Sequence, residues 1–299
     1  MTPLSPPVPA SQARIVVDRW WKVIRATVKA IDEDRCLDLA AQLSFYLLLA
    51  MFPALLVLVS LLGYLPVENA AADLLTLVGR VAPSVLVDLL AVQLRALAAD
   101  GRADVATVGV AAALWSSSAA MRAVIEALNR TYRVAEWRPW WRRRLVAIGL
   151  TLAFGLFTTA SLLLVLAGPE VLAGVATIVG AHAPAALAWQ VLRFPAMVAL
   201  VVVGIGIVYH FAPNRDARWA WTTPGSLLAT GLWIGSSFLF KLYVTHLGTF
   251  SVTYGAIGGV IVVLLWLYMS SLAILVGAEL NSVIDLHARE SEQPSADGP

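Results

Sequence analysis

Six long runs of apolar residues dominate the chain, and shorter stretches rich in charged residues separate them. A helix needs about 20 mostly apolar residues to cross a bilayer. The runs predict six transmembrane helices at 39–65, 105–125, 145–167, 186–211, 224–244 and 254–283. The serines of "WSSSAAMR" dilute the second run, but they can bond to backbone carbonyls where that face meets other helices. The pattern therefore predicts an all-α, polytopic membrane protein.

Lysine and arginine are concentrated before the first predicted span, after the second and after the fourth. With six spans, these three clusters fall on one side of the membrane. Because cytoplasmic loops carry an excess of Lys and Arg, that side is the cytoplasm. Both termini are therefore predicted to be cytoplasmic.

Shorter segments flank this membrane domain, which we place at residues 36–286. Residues 15–35 are predicted to form an amphipathic helix on the inner leaflet, because Val16, Trp20, Ile24 and Val28 recur at helical spacing. The polar ends, 1–14 and 287–299, are predicted to be disordered. On the external side, residues 69–99 are predicted to form two short amphipathic helices divided near Pro83.

Composition supports a membrane protein and offers little for catalysis. Of the 299 residues, 60% are hydrophobic and 13% charged, whereas soluble domains average about 45–50% and about 25%. The single cysteine excludes an internal disulfide and a cysteine zinc cluster. The four histidines are scattered, and nucleotide-binding and hydrolase motifs are absent from the sequence. We therefore predict no catalytic residue, no cofactor, no metal and no enzymatic activity.

The stretch "EWRPWWRRRL" places three tryptophans among four arginines directly before the third span. Aromatic residues interleaved with basic ones can bind nucleic acid. In front of a membrane span, an aromatic belt with inner-leaflet arginines is the commoner meaning, so we expect no nucleic acid. The expected partners are the lipid bilayer and an anionic lipid at the cytoplasmic face; the sequence does not specify an oligomeric state.

Polar residues at membrane depth are costly in lipid and usually face a bundle or a water-filled cavity. Two helical stripes begin near the cytoplasmic surface, one in the first span and one in the second. Together with two residues of the sixth span they form a candidate polar cluster: Asp38, Gln42, Tyr46, Arg122, Glu126, Asn129, Arg133, Glu279 and Asn281. The alternative is that they are ordinary interface residues with an Arg122–Glu126 ion pair one turn apart.

Glu279 falls in the last part of the sixth span, where 20 residues counted from Tyr254 have already crossed the hydrocarbon. A carboxylate near a helix C-terminus opposes the helix dipole and calls for a nearby cation. We therefore predict a buried interface carboxylate paired with Arg122 or Arg133. Whether such a pair holds the structure together or acts as a gate stays open.

Small residues let membrane helices approach closely. Two G-x-x-x-G patterns occur, one in the fifth span and one in the sixth, and a further glycine follows on the sixth. The predicted helix-packing glycines are Gly231, Gly235, Gly255, Gly259 and Gly277.

Several motifs resemble those of the YihY/BrkB family of bacterial inner-membrane proteins, formerly described as ribonuclease BN. They are "LAAQLSFYLLLAMFP", "WSSSAAMRAVIEALNRTY", "YHFAPN", "TTPGSLLATGLW" and "YGAIGGVIVVLLWLYMSSLAILVGAELN". His210 departs from the family pattern, which has arginine there. The resemblance spans Asp38 to Asn281 and implies a six-helix, multi-pass inner-membrane protein. The matched positions are Pro53, Trp115, Tyr209, Pro213, Asn214, Pro224, Gly225, Tyr254, Trp266 and Tyr268.

Three functions are compatible with the sequence. The first is transport or export of a lipid or amphiphilic envelope component, since polar stripes and interrupted helix ends suit a bundle enclosing a cavity. The second is a non-transporting scaffold that binds a partner or anionic lipid through its basic face. A ribonuclease ranks last, because no metal-binding histidine cluster is present.

Overall fold

The structure is a computed structural model, and it describes residues 10–62, 91, 103–166, 182–215, 222–246 and 250–292. These residues form helices and connecting turns, and they contain no strand. The helices are α1 (Ala10–Glu33), α2 (Cys36–Leu62), α3 (Ala103–Thr131), α4 (Trp140–Leu166), α5 (His182–Phe211), α6 (Pro224–His246) and α7 (Phe250–Glu292). The predicted external helices at 69–99 lie outside the described residues, apart from residue 91.

Four of these helices are long and apolar enough to cross a membrane: α4, α5, α6 and α7. A shorter apolar stretch, Cys36–Met51, lies in α2. The helix α3 carries three serines at 116–118 and the charges of Arg122 and Glu126, which lower its hydropathy. The described residues are thus those of a helical, polytopic membrane protein. One long helix, from α2 to α7, lies at each of the six sequence-predicted spans, and the crossing of the membrane by α2 and α3 stays a prediction.

Six helices pack into a closed ring in chain order. Each of α2 to α6 contacts the next helix, and α7 returns to contact α2. Across the ring, α7 also contacts α3, and α2 contacts α4. At one end of the ring α2, α4 and α6 begin and α3, α5 and α7 end. We call it the basic end, since the α3–α4 loop (132–139) and the arginines on both sides of it lie there.

The buried core is concentrated at the basic end. It joins Cys36 and Leu43 of α2, Leu128 of α3, Tyr209 of α5 and Leu275 of α7. Further along the helices, α6 and α7 also exchange two side-chain hydrogen bonds, from Trp233 Nε1 to Ser270 Oγ at 3.2 Å and from Trp266 Nε1 to Ser237 Oγ at 3.3 Å.

The helix α1 lies outside the ring, against α7 and α2. Its packed face consists of Val23, Thr27 and Ala30, and it does not include the apolar stripe predicted from the sequence. Of that stripe, Trp20, Ile24 and Val28 are exposed. An apolar stripe turned away from the bundle suits a helix lying in the membrane interface.

The first and last helices extend into the terminal segments that the sequence predicts to be disordered. The helix α1 begins at Ala10, so part of the 1–14 arm is helical, and residues 1–9 are outside the described residues. The helix α7 continues to Glu292, past residue 287 where the sequence places the start of a disordered tail. The helix α7 continues past its apolar segment, where Val283 and Ile284 pack against α1.

Candidate functional site

The start of α6 is held by a reciprocal cap and by a side chain from α7. Ser226 N donates to Thr223 Oγ1, and Thr223 N donates to Ser226 Oγ, both at 3.0 Å. Such a cap satisfies amide groups that a helix start leaves free, and Pro224 occupies the position where proline is favoured. Asn281 Oδ1 accepts from Gly225 N at 2.8 Å, and Asn281 Nδ2 donates to Thr223 Oγ1 at 2.9 Å.

Two glycines let α6 and α7 touch at this point. A Cβ on Gly225 would collide with the carbonyl oxygen of Gly277, and a Cβ on Gly277 would collide with that of Gly225. The Gly277 position is also closed by Tyr209 Oη, 2.6 Å from the Cβ site, and by Ala229 Cβ at 2.7 Å. Tyr209 itself crosses from α5 and donates to the carbonyl of Ile274. Only glycine fits at this crossing.

The other predicted packing glycines behave differently. Gly231 and Gly235 are exposed on α6, and nothing described lies within 4 Å of a Cβ at either position. They therefore make no close helix contact within the described chain, which corrects the prediction for them. The sequence pattern marks small residues but does not say which face of a helix meets a neighbour. Gly259 of α7 is half-buried, and the surroundings of Gly255 lie outside the described residues.

A second hydrogen-bond network joins the α3–α4 loop to the end of α5. Asn129 Oδ1 accepts from Asn214 N at 2.7 Å, and Asn214 Nδ2 donates to Ala135 O at 2.9 Å. Asn129 Nδ2 in turn donates to Glu136 Oε2 at 2.8 Å. Asn129 and Asn214 are both buried, as is the adjacent Pro213. The motif "APN" thus follows the end of α5 and fixes that end to the α3–α4 loop.

Arg138 completes this network. Its Nε and Nη2 donate to the two oxygens of Glu136 at 2.8 Å, and Nη2 also donates to Ala212 O at 2.8 Å. Burial raises the pKa of Glu136, but the hydrogen bonds from Arg138 and Asn129 outweigh it and hold that pKa below its usual value. Glu136 is therefore ionised at neutral pH, and it tethers the loop to α5 through Arg138.

The C-terminal part of α7 contacts the residues that directly follow α3 and α5. Arg215 forms an ion pair with Asp285, and its guanidinium lies 3.9 Å from the centre of the Tyr132 ring. Burial raises the pKa of Tyr132 to about 12, so its hydroxyl stays protonated and can accept the hydrogen bond that Asn281 Nδ2 donates at 3.4 Å. We call the set Asn129, Glu136, Arg138, Asn214, Arg215, Thr223, Asn281 and Asp285 the basic-end network.

Glu279 is 1% exposed and lies between α7, α2 and α3. The Cys36 thiol donates to its Oε1 at 3.4 Å. Its Oε2 and the Oγ1 of Thr131 are both buried, and neither has a hydrogen-bond partner among the described atoms. The carboxyl group of Glu279 thus lies beside the Cys36 thiol and the Thr131 hydroxyl.

Neither of the two arginines predicted as partners of Glu279 forms an ion pair with it in the described part of the chain. Arg133, two residues beyond the end of α3, has a φ of 54° and pairs with Asp34 at 3.3 Å and with Glu33 at 3.4 Å. Among the described residues, no ion pair joins Glu279 to Arg133 or Arg122. The acidic C-terminal end of α1 attracts Arg133, a contact that a search of the spans alone does not reveal.

Arg122 instead lies in a pocket of about 390 Å³ at the basic end, beside α3 and the first turn of α4. Four arginines, two tryptophans and one glutamate line it. We call it the arginine pocket: Arg122, Arg138, Arg143, Arg144, Trp115, Trp140 and Glu136. Part of "EWRPWWRRRL" thus builds a concave surface.

The remaining predicted residues are dispersed. Gln42, Tyr46 and Glu126 are exposed, and Asp38 pairs with Arg35 at 2.6 Å on the surface. No described ion pair links Arg122 with Glu126. Of the motif residues, Pro53 lies inside α2, Tyr268 is half-buried against the core, and the surroundings of Tyr254 are outside the described residues.

Several residues of the site were not predicted from the sequence as functional. The sequence alone assigns no role to Glu136, Arg138, Arg215 or Asp285, and it marks Thr223 only as part of a motif. The sequence does contain a hint of these contacts, because basic side chains near the end of a helix often donate hydrogen bonds to its free carbonyl groups. Cys36 and Thr131 carry no such signal; only the packing of three helices brings them to Glu279.

Asn281→Ala is expected to destabilise the bundle by about 1–3 kcal/mol, because it leaves the buried Gly225 amide without an acceptor. Thermal unfolding of purified protein in detergent measures the change. Gln42→Ala, on the exposed face of α2, is the control and should stay within about 0.5 kcal/mol. Equal effects of the two substitutions would contradict the role assigned to Asn281.

The long apolar helices, the ring packing and the arginine-bearing end define a polytopic helical membrane protein. A family model, described as "Virulence factor BrkB", matches residues 27–298. The chain therefore belongs to the BrkB family, as its motifs indicated, and is a multi-pass bacterial membrane protein.

Individual relatives agree with this assignment. The chain is 32% identical over 251 residues to YfkH of Bacillus subtilis (strain 168), provisionally described as ribonuclease-like, covering 84% of this chain and 90% of that protein. It is 26% identical over 261 residues to a UPF0761 membrane protein of Halorhodospira halophila, covering 86% of this chain and 56% of the relative. A UPF0761 membrane protein of Xanthomonas campestris is 28% identical over 252 residues, with 84% and 57% covered. The chain thus spans little more than half the length of the two UPF0761 relatives. No solved structure matches.

Proposed function

We propose that this protein moves a lipid or another amphiphilic envelope component across the bacterial inner membrane, without enzymatic chemistry. In this proposal the helices α2 to α7 all span the bilayer, and both termini and the basic end face the cytoplasm, as the positive charges favour. The proposed function rests on one observation, the unequal packing of the two halves of the ring.

This inequality is clearest in α7. From Ser271 to Val283 the helix is largely buried, whereas none of the described side chains from Gly259 to Ser270 is buried. The same holds for α6, where Gly225, Ser226, Ala229 and Thr230 are buried and no residue of 231–243 is. A helix without a buried face is accessible from more than one side. In our proposal, these loosely packed segments of α6 and α7 line a vestibule in the half of the ring away from the basic end.

The basic-end network gives such a vestibule a closed floor. A polar floor suits a gate, because protein hydrogen bonds exchange for bonds to water at a net cost of about 0.5–1.5 kcal/mol each. An apolar plug would instead expose hydrophobic surface on opening. The network could therefore open and reform, while the tight Gly225–Gly277 crossing gives α6 and α7 a fixed point.

A second function, a non-transporting scaffold, is favoured by the surface of α1. Its stripe of Trp20, Ile24 and Val28 is exposed, and the guanidinium of Arg25 lies 5.0 Å from the centre of the Trp21 ring. This surface would fit an anionic inner leaflet. It anchors the protein under either function, so it does not by itself separate them.

Mass spectrometry of the molecules that co-purify with the protein from its native membrane tests the proposal. We expect one amphiphile to be enriched over bulk lipid, and we expect purified protein to transfer that species between leaflets of reconstituted vesicles. Protein-free vesicles serve as the control. Retention of bulk lipid alone, with no leaflet transfer, would exclude transport and favour the scaffold.

A further inference from the structure

The arginine pocket holds more positive charge than its surroundings neutralise. Arg138 is paired with Glu136 at 2.8 Å. The other three arginines of the pocket, Arg122, Arg143 and Arg144, form no ion pair with any described residue. The pocket therefore concentrates three uncompensated positive charges.

One of these arginines is buried, with part of its hydrogen-bonding capacity unused. Arg144 is 8% exposed, its guanidinium lies 3.6 Å from the centre of the Trp115 ring, and its Nη2 donates to Trp115 O at 2.6 Å. The Nε atoms of Arg144 and Arg122 are buried without a partner in the described residues. Unsatisfied buried donors are costly and rare in folded proteins. An anion in the pocket would relieve the repulsion between the arginines and bond to the remaining N–H groups of their guanidinium heads.

We propose that the arginine pocket binds the phosphate group of a membrane lipid. Guanidinium groups match phosphate through paired N–H···O bonds, and the first turn of α4 adds amide groups that favour an anion. The exposed rings of Trp115 and Trp140 flank the arginines. Trp140 lies directly before the predicted third span, where tryptophan prefers the headgroup level of a bilayer, so a lipid, rather than a soluble phosphate, fits the pocket.

This inference builds on the proposed transport function, because it names the headgroup class of the cargo. Full-length protein in detergent is titrated with phosphatidylglycerol, and bound lipid is counted by native mass spectrometry. Arg143→Ala is compared with Arg142→Ala, which removes the same charge one residue away, outside the pocket. We expect Arg143→Ala to weaken binding at least ten-fold and Arg142→Ala to leave it unchanged. Arg143→Gln repeats the test if the alanine variant does not fold.

Three results would overturn the site: equal weakening by both substitutions, equal affinity for phosphatidylglycerol and for a diacylglycerol lacking phosphate, or displacement of the lipid by soluble glycerol phosphate at similar concentration. The last result would identify a soluble phosphate ligand. Leaflet transfer measured on the same variants separates the two proposals. Transfer without selective binding would overturn the pocket but not transport, and selective binding without transfer would overturn transport but not the pocket.

Discussion

Gly277→Ala is expected to destabilise the protein, and the same substitution at Gly231 is not. At Gly277 the added methyl meets the carbonyl of Gly225, Tyr209 Oη and Ala229 Cβ. Two of these atoms belong to the opposed backbone or to a side chain fixed by its own hydrogen bond, so they cannot move aside alone. Overpacking of this kind costs about 1–3 kcal/mol, and more where backbones must separate. We expect the upper end of that range.

Gly231→Ala is the matched control, since both positions are glycines inside membrane helices. Nothing described lies within 4 Å of a Cβ at Gly231. Alanine is the better helix former by about 1 kcal/mol, so stability should be unchanged or slightly higher. Unfolding of both variants in detergent, followed by circular dichroism, measures the difference. If Gly277→Ala is as stable as the native chain, the described helix crossing is incorrect.

These two glycines also show how far the sequence predicts the structure. Apolar run length predicts helices well, because crossing a bilayer demands both an apolar surface and internal backbone hydrogen bonds. The start of α6 at Pro224 and the end of α5 at Phe211 match the predicted spans for that reason. Which face of each helix meets a neighbour depends on the ring arrangement, which local patterns do not encode. Gly231 and Gly277 therefore look alike in the sequence and differ in the structure.

The candidate site shows the same division. Asn129 and Asn281 stand out in the sequence as polar residues near the ends of spans and Asn214 as part of a motif, and the structure places all three in the basic-end network. Their partners Glu136 and Arg138 look like ordinary loop charges until the loop is folded against α5. Electrostatics predicts an arginine partner for Glu279, but Arg133 pairs with the carboxylate of Asp34 instead. Which of several carboxylates an arginine pairs with depends on the three-dimensional fold, so the sequence alone does not predict it.

Arg138→Ala is expected to produce a second large loss of stability. Arg138 is 9% exposed, and its partner Glu136 17%. The substitution leaves Glu136 without its cation and Ala212 O without its donor. Removing one member of a buried ion pair costs about 3–5 kcal/mol, and the incomplete burial of Glu136 places the expectation near the lower value. Arg142→Ala, exposed in the same segment, should change stability by less than about 0.5 kcal/mol.

A double-mutant cycle with Glu136→Gln separates the pair from its surroundings. If the two side chains interact directly, Arg138→Ala should cost much less in the Glu136→Gln background than in the native chain. Additive effects would show that Arg138 acts through the α5 carbonyls alone. Arg138→Lys refines the test, because it keeps the charge but loses the forked contact with both oxygens of Glu136.

The pH dependence of stability should also reveal the interaction between Arg138 and Glu136. The pKa of Glu136 is lower in the folded chain than its ordinary value of 4.5. Its contribution to stability is therefore complete above that value and is lost as the pH falls through the lower folded pKa. The native chain should thus lose more stability than Glu136→Gln when the pH is lowered from 6 to below about 4. Because protonated Glu136 no longer leaves an unpaired charge, the cost of Arg138→Ala should shrink over the same interval. A cost that stays constant with pH would mean that Arg138 holds the loop without help from the carboxylate.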